Sequence, residues 1–137
     1  MIFETNKEKG RAGISMAIAY FGSNGYTVSI PMNDTQWYDL IIEKDGIFQT
    51  VQCKATGAKD NIVSLKSSGG TKGTVYDNVL WHDVDILFCL DKEQNKYVIP
   101  VHKIKETGNM SCIALRTKQN KYANIGTFDS SKYLVNF

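Results

Sequence analysis

The sequence predicts an α/β fold: one helix, then the strands of a mixed central sheet, in the order α-β-β-β-(α)-β with additional C-terminal strands. Three observations carry this. Ile14, Ala17, Ile18 and Phe21 recur at helical spacing near the N-terminus. Asp45-Gly46 sits between two β-rich runs, a strong hairpin signal. Two further apolar runs, VDILFCL (Val84 to Leu90) and YVIPV (Tyr97 to Val101), follow with a polar turn between them.

Taken in order, residues from about Thr5 to Phe21 form the helix. Thr5 and Glu8 stand three apart and match a capping box at its start, and Gly22 and Gly25 supply the stop. Tyr26 to Ile30 is a strand that Pro31 ends. Tyr38 to Glu43 leads into the Asp45-Gly46 turn, and Ile47 to Ala55 returns antiparallel to it. In that returning strand Gln49, Val51 and Cys53 point one way while Thr50, Gln52 and Lys54 point the other. The segment from Ser67 to Gly73 is too glycine-rich for a regular element and is expected as a loop. A short helix is expected over Tyr76 to Trp81, and YLVNF (Tyr133 to Phe137) is apolar enough for a closing strand or a subunit contact.

Composition bounds the function. The 137 residues are 42% hydrophobic and 22% charged, as expected of one globular domain spanning residues 1–137. No apolar run approaches the ~18 residues of a membrane span, and the N-terminus lacks the order of a secretory signal. A cytoplasmic protein with no membrane partner is expected. Cys53, Cys89 and Cys112 form no CxxC pair and are expected as small buried hydrophobes in a reducing compartment. His82 and His102 have no partners at zinc-ligand spacing. The net charge is only +2, but basic residues cluster between Lys54 and Lys72 and again between Lys103 and Lys121, with an acidic block between. Such blocks fit either a basic binding face or an ordinary solvated surface.

One constellation points to chemistry. A turn centred between Asp45 and Gly46 places Asp39 nearly opposite Gln52, and Gln52 and Lys54 share a face roughly 6–7 Å apart. A carboxylate, an amide oxygen and an ammonium then converge on one small volume. Oxygen ligands of this kind suit Mg²⁺, which keeps several of its waters, and a nearby Lys can orient an attacking water. The set fits metal-assisted phosphodiester hydrolysis. Asp39 flanking a turn and Lys54 at a solvated strand end are the plain structural alternatives.

These residues carry a resemblance. WYDLIIEKDGIFQTVQCKAT, with Asp39 in YDLII and Gln52-Cys53-Lys54 in VQCK, resembles the core motif of the PD-(D/E)XK nuclease superfamily, in the branch where Gln replaces the second acid. KGRAG (Lys9 to Gly13), the strand from Gly25 to Val28, and the segment from Asp83 to Val101 resemble the rest of that fold, so the likeness spans roughly residues 5–105. The resemblance implies a restriction-endonuclease-like core and a DNA endonuclease, either homing-type or phage site-specific, or one that resolves Holliday junctions. It implies Mg²⁺ (with Mn²⁺ as substitute) held by Asp39, Gln52 and the Cys53 carbonyl, with Lys54 beside the water. The chain departs from the family at Ile14, where relatives often place a Glu; Glu8 is the substitute ligand considered, alongside its role as a cap. Double-stranded or branched DNA is the implied partner, contacted by Lys7, Lys9, Arg11, Lys59, Lys66 and Lys72. Trp37 and Tyr38 stand beside the site, as stacking groups or as core. Cutting both strands requires at least a homodimer, and a homotetramer also fits. The neutral Gln52 and the missing helix acid favour the rival expectation, a DNA-binding module that keeps the fold without the chemistry; a structural subunit of a nucleic-acid complex is a weaker third.

Overall fold

The computed structural model describes residues 5–33, 35–68, 76–108, 110–119 and 128–136. Helix α1 covers Asn6–Ser23. It starts where the sequence predicts: Thr5 is the N-cap and its Oγ1 accepts the Glu8 backbone N–H at 3.2 Å. It ends two residues later than expected, because Gly22 stays helical and Gly25 makes the stop. Gly25 takes φ +85°, a left-handed conformation open to glycine, and lets the Tyr26 N–H reach back to the Phe21 carbonyl at 3.1 Å. The Phe21 and Tyr26 rings then meet edge to face, which completes this cap with an apolar contact.

Ten strands follow. In order they are β1 (Thr27–Ser29), β2 (Leu40–Lys44), β3 (Ile47–Ala55), β4 (Ile62–Ser64), β5 (Lys66–Ser68), β6 (Tyr76–Asn78), β7 (Ile86–Leu90), β8 (Lys96–Pro100), β9 (Cys112–Ala114) and β10 (Leu134–Val135). Six of them form the central sheet, in the order β1-β2-β3-β7-β8-β10, with β3 and β7 parallel and the other neighbours antiparallel. The mixed sheet and the closing strand at Leu134–Val135 agree with the sequence reading. The β2–β3 turn does too: Asp45 and Gly46 both have positive φ, the hairpin geometry that an Asp-Gly pair supplies.

Several expectations need correction. Ser67 and Ser68 belong to β5, which pairs with β6, so the expected loop begins in a strand; its remainder, residues 69–73, lies outside the described residues. Tyr76 to Asn78 is extended, and only Val79–Trp81 turns, as one 3-10 turn. Val101 does not extend β8 but opens a short helix, α2 (Val101–Lys105). Cys89 is buried and Cys53 half-buried, but Cys112 is exposed, because it sits on a three-residue strand paired only to β4.

The sheet divides two apolar clusters. On one face α1 lays Ala17 and Phe21 on Leu40, Ile42, Val51, Ile86 and Phe88. On the other, Leu87, Cys89, Tyr97 and Ile99 pack with Val63, Leu65, Ile113 and Leu115. Strand alternation assigns the even residues of β3 to this second face, since Gln52 lies beside Leu87 and Lys54 beside Cys89. Among the described residues no helix is long and apolar enough to cross a membrane.

Candidate active site

The site forms where β2 begins. Leu40 is the register partner of Val51, which puts Asp39 opposite Gln52. At this point the chain bends: the Asp39 N–H donates at 2.8 Å to the Val51 carbonyl, the same residue Leu40 faces. The regular ladder therefore stops, and the N–H of Cys53 would be left without a strand partner. The Asp39 carboxylate takes it, with Oδ2 accepting the Cys53 N–H at 2.8 Å. In a strand the N–H and C=O of one residue point to the same side. The Cys53 carbonyl thus projects toward the same edge, beyond the end of β2.

Electrostatics bind the set together. Burial raises the Asp39 carboxyl above the usual carboxylate range, against the opposing pull of the Cys53 N–H and the Lys54 charge. Burial lowers the Lys54 ammonium, against the attraction of Asp39 and of Cys89 beside it. The Cys53 thiol is pushed well up by burial, so it is a poor thiolate, and any ligand from this residue would be its carbonyl.

This donor set fits a hard divalent cation. A half-buried carboxylate, an amide on the opposing residue and a main-chain carbonyl are all oxygen donors, and the carboxylate is destabilised by its surroundings in a way that a nearby cation offsets. Asp39 Oδ1 carries no hydrogen bond among the described residues.

The other predicted residues are more scattered. Glu8 is half-buried in the first turn of α1, whose packing face is the opposite side of the sheet from Gln52 and Lys54. Lys7 and Arg11 are exposed on the same helix and Lys9 is half-buried there. Lys59 is exposed in the turn after β3, where its carbonyl accepts from Lys92 Nζ. Lys66 is exposed on β5, and Lys72 lies outside the described residues.

Two features escaped the sequence reading, the pairing of Thr50 with Asp85 and a groove beside Asp39. Thr50 and Asp85 clasp each other just before β3 enters its parallel ladder: Asp85 Oδ2 accepts the Thr50 N–H at 2.8 Å and its hydroxyl at 3.3 Å. The Asp85 N–H returns to Thr50 Oγ1 at 3.1 Å. An acid interrupting an apolar strand run was the available signal. Trp37, for which the sequence left stacking group or core open, stacks on His82 with ring centroids 3.9 Å apart and planes 10° from parallel and packs against the core. A groove beside Asp39 is lined by Ile30, Pro31, Asn33, Gln36 and Tyr38.

A helix crossing a β-hairpin, a parallel neighbour strand, and an Asp facing Gln-x-Lys where the hairpin opens define a nuclease-type α/β core. The family model of the PD-(D/E)XK endonucleases matches residues 4–133, and the chain belongs to that family. Its fold is similar to that of a bacterial homing endonuclease, I-Ssp6803I, with TM-score 0.75 and 24% identity over 95% of this chain and 88% of that one. A search of curated proteins found no match.

Proposed function

We propose that this chain is a Mg²⁺-dependent DNA endonuclease of the homing or phage site-specific type, in the family branch that carries Asp…Gln-x-Lys. The observation that supports it most directly is the Asp39 carboxylate fixed on the Cys53 N–H, opposite Gln52 and beside Lys54. Asp39, Gln52 and the Cys53 carbonyl would hold the cation, with Glu8 as a further candidate donor. When bound, the ion would neutralise charge developing on the phosphorus oxygens and on the leaving oxygen.

The chain's own groups do the rest. Asp39 is held by its bond to the main chain of β3, so its orientation is set before substrate arrives. Lys54 orients the attacking water for in-line displacement, and its lowered pKa eases proton exchange with that water. Lys7, Lys9, Arg11, Lys59, Lys66 and Lys72 are the proposed phosphate contacts. One protomer carries one such site, so cutting both strands of a duplex calls for a homodimer or homotetramer.

The test is cleavage by purified protein in Mg²⁺ or Mn²⁺, on supercoiled plasmid and on a synthetic four-way junction in parallel. Nicking or linearising at discrete plasmid sites is expected, with Asp39→Ala and Lys54→Ala each slower by about a hundredfold or more. Cutting confined to the junction would replace the site-specific reading with junction resolution. Tight DNA binding without any metal-dependent product would overturn the enzyme reading in favour of a binding module.

A further inference from the structure

The groove beside Asp39 has a composition unlike the rest of the site. It encloses about 200 Å³ and is lined by Ile30, Pro31, Asn33, Gln36, Tyr38 and Asp39. Among the described residues no Lys or Arg lines it and Asp39 contributes a negative charge, so a phosphate would be repelled there. Its walls are instead apolar and aromatic, with two amides among them. Ile30 leaves 63% of its surface open beside the groove. An aliphatic side chain so placed at the lip of a polar site gains by covering a ligand's apolar face. Pro31 fixes its own φ and stiffens that wall.

The amides are set differently from each other. Gln36 Nε2 donates to the Asn33 carbonyl and more weakly to the Tyr38 carbonyl, which braces the loop against the segment that leads through Asp39 into β2. The Asn33 side chain is exposed and makes no hydrogen bond among the described residues. It therefore has a donor and an acceptor to offer to a ligand edge.

We propose that this groove is a nucleoside subsite: it receives the sugar and base of the nucleotide next to the scissile phosphate, with Ile30, Pro31 and Tyr38 against the apolar faces and Asn33 on the base edge. The proposal rests on the endonuclease reading above, because Asp39 forms one wall of the groove and would hold the adjoining phosphate's metal. It makes Asn33 a specificity-determining residue at a single base position, in keeping with how Asn and Gln side chains read base edges.

The experiment maps cut ends by sequencing, on a duplex library randomised around a wild-type cleavage site. Wild type should show a base preference at the nucleotide flanking the cut. Asn33→Ala should flatten the preference at that one position by about tenfold and leave the preferences elsewhere in place. Ile30→Ala should raise KM by about fivefold with a much smaller change in kcat, since it removes binding surface rather than chemistry. Both side chains are exposed and the Asn33 main-chain carbonyl is untouched, so these variants keep the Gln36 brace. Ile47→Ala, at the exposed hairpin tip outside the groove, serves as control and should reproduce the wild-type profile. An unchanged profile and KM in both groove variants, or a loss spread evenly over all positions, would overturn the subsite while the nuclease reading stands. Absence of any metal-dependent cutting by wild type would overturn both.

Discussion

Replacing Asp85 by Ala tests whether β3 is held in register from outside the candidate site. The substitution removes the carboxylate that accepts the Thr50 N–H at 2.8 Å; the Thr50 hydroxyl, 3.3 Å from that carboxylate, keeps its closer acceptor, the Asp83 carbonyl at 3.1 Å. The substitution also keeps the two bonds made by the Asp85 main-chain N–H, to Thr50 Oγ1 and to the Thr50 carbonyl at 3.2 Å. A hydrogen bond to a charged acceptor contributes about 1.5–3 kcal/mol, and a buried donor left unpaired costs about 1–3 kcal/mol. Asp85 is exposed and Thr50 half-buried, so water reaches the freed N–H, and the lower part of that range applies: about 1–2 kcal/mol. Asp85→Asn keeps an oxygen in place and should cost less than half as much. The assay is urea unfolding followed by circular dichroism, with midpoints compared at constant slope. Because Val51 and Gln52 are the next residues to pair with β7, DNA cleavage should fall with the Ala variant more than with the Asn one. Equal midpoints for wild type and Ala, or an Asn variant as unstable as Ala, would refute the clasp.

Substitutions at four other positions have worked expectations. A Cβ on Gly13 would meet Ala55 Cβ at 3.6 Å and Cys53 Cβ at 3.8 Å, which is ordinary contact, so Gly13→Ala should stabilise by about 0.5–1 kcal/mol through helix propensity, whereas Gly13→Leu should destabilise by driving bulk into β3; thermal unfolding separates them. Asp91 is buried and its carboxylate accepts from the Glu93 and Asn95 main-chain N–H groups, the Asn95 amide and the Tyr97 hydroxyl; Asp91→Ala should cost about 3 kcal/mol or more, and Tyr97→Phe about 1 kcal/mol, in denaturant titrations. Asp39 has a folded-state pKa above its unfolded value of 3.8, so the unfolded chain ionises first as pH rises and the native state loses stability through the window between the two values. Metal-free Asp39→Asn should therefore be more stable than wild type at pH 7, with the difference vanishing below about pH 3; a variant less stable than wild type at pH 7 would contradict the burial argument.

What was legible in the sequence was legible because it is local. Asp45-Gly46 can supply two positive φ angles in succession, and that turn alone fixes the register that sets Asp39 opposite Gln52. The stripe on α1 was equally plain, since four apolar residues at helical spacing have one buried face. The helix end was misread because two glycines compete there, and only Gly25 lies where the Tyr26 N–H can close on Phe21 and the two rings can meet. Strands β4 and β9 pair across some fifty residues of chain with three residues each, too short for alternation to show. The Thr50–Asp85 clasp and the groove at Ile30 depend on the parallel β3–β7 alignment and on the bend at Asp39, neither of which is encoded in any one segment.

The bend explains why the candidate site is built on an aspartate just before β2 begins. Had β2 continued two residues further in register, to Tyr38, its backbone would have satisfied the Cys53 N–H and no side chain would have been needed there. With the ladder ended at Leu40, a short carboxylate is the group that reaches the vacant N–H, and its position beside Gln52 follows from the same hydrogen bond. The cost is electrostatic. Burial opposes the charge on Asp39 and on Lys54 alike, and their mutual attraction offsets only part of it. A carboxylate destabilised in its charged form has free energy to gain from a bound cation, so added Mg²⁺ should raise the unfolding midpoint of wild type and leave that of Asp39→Asn where it was.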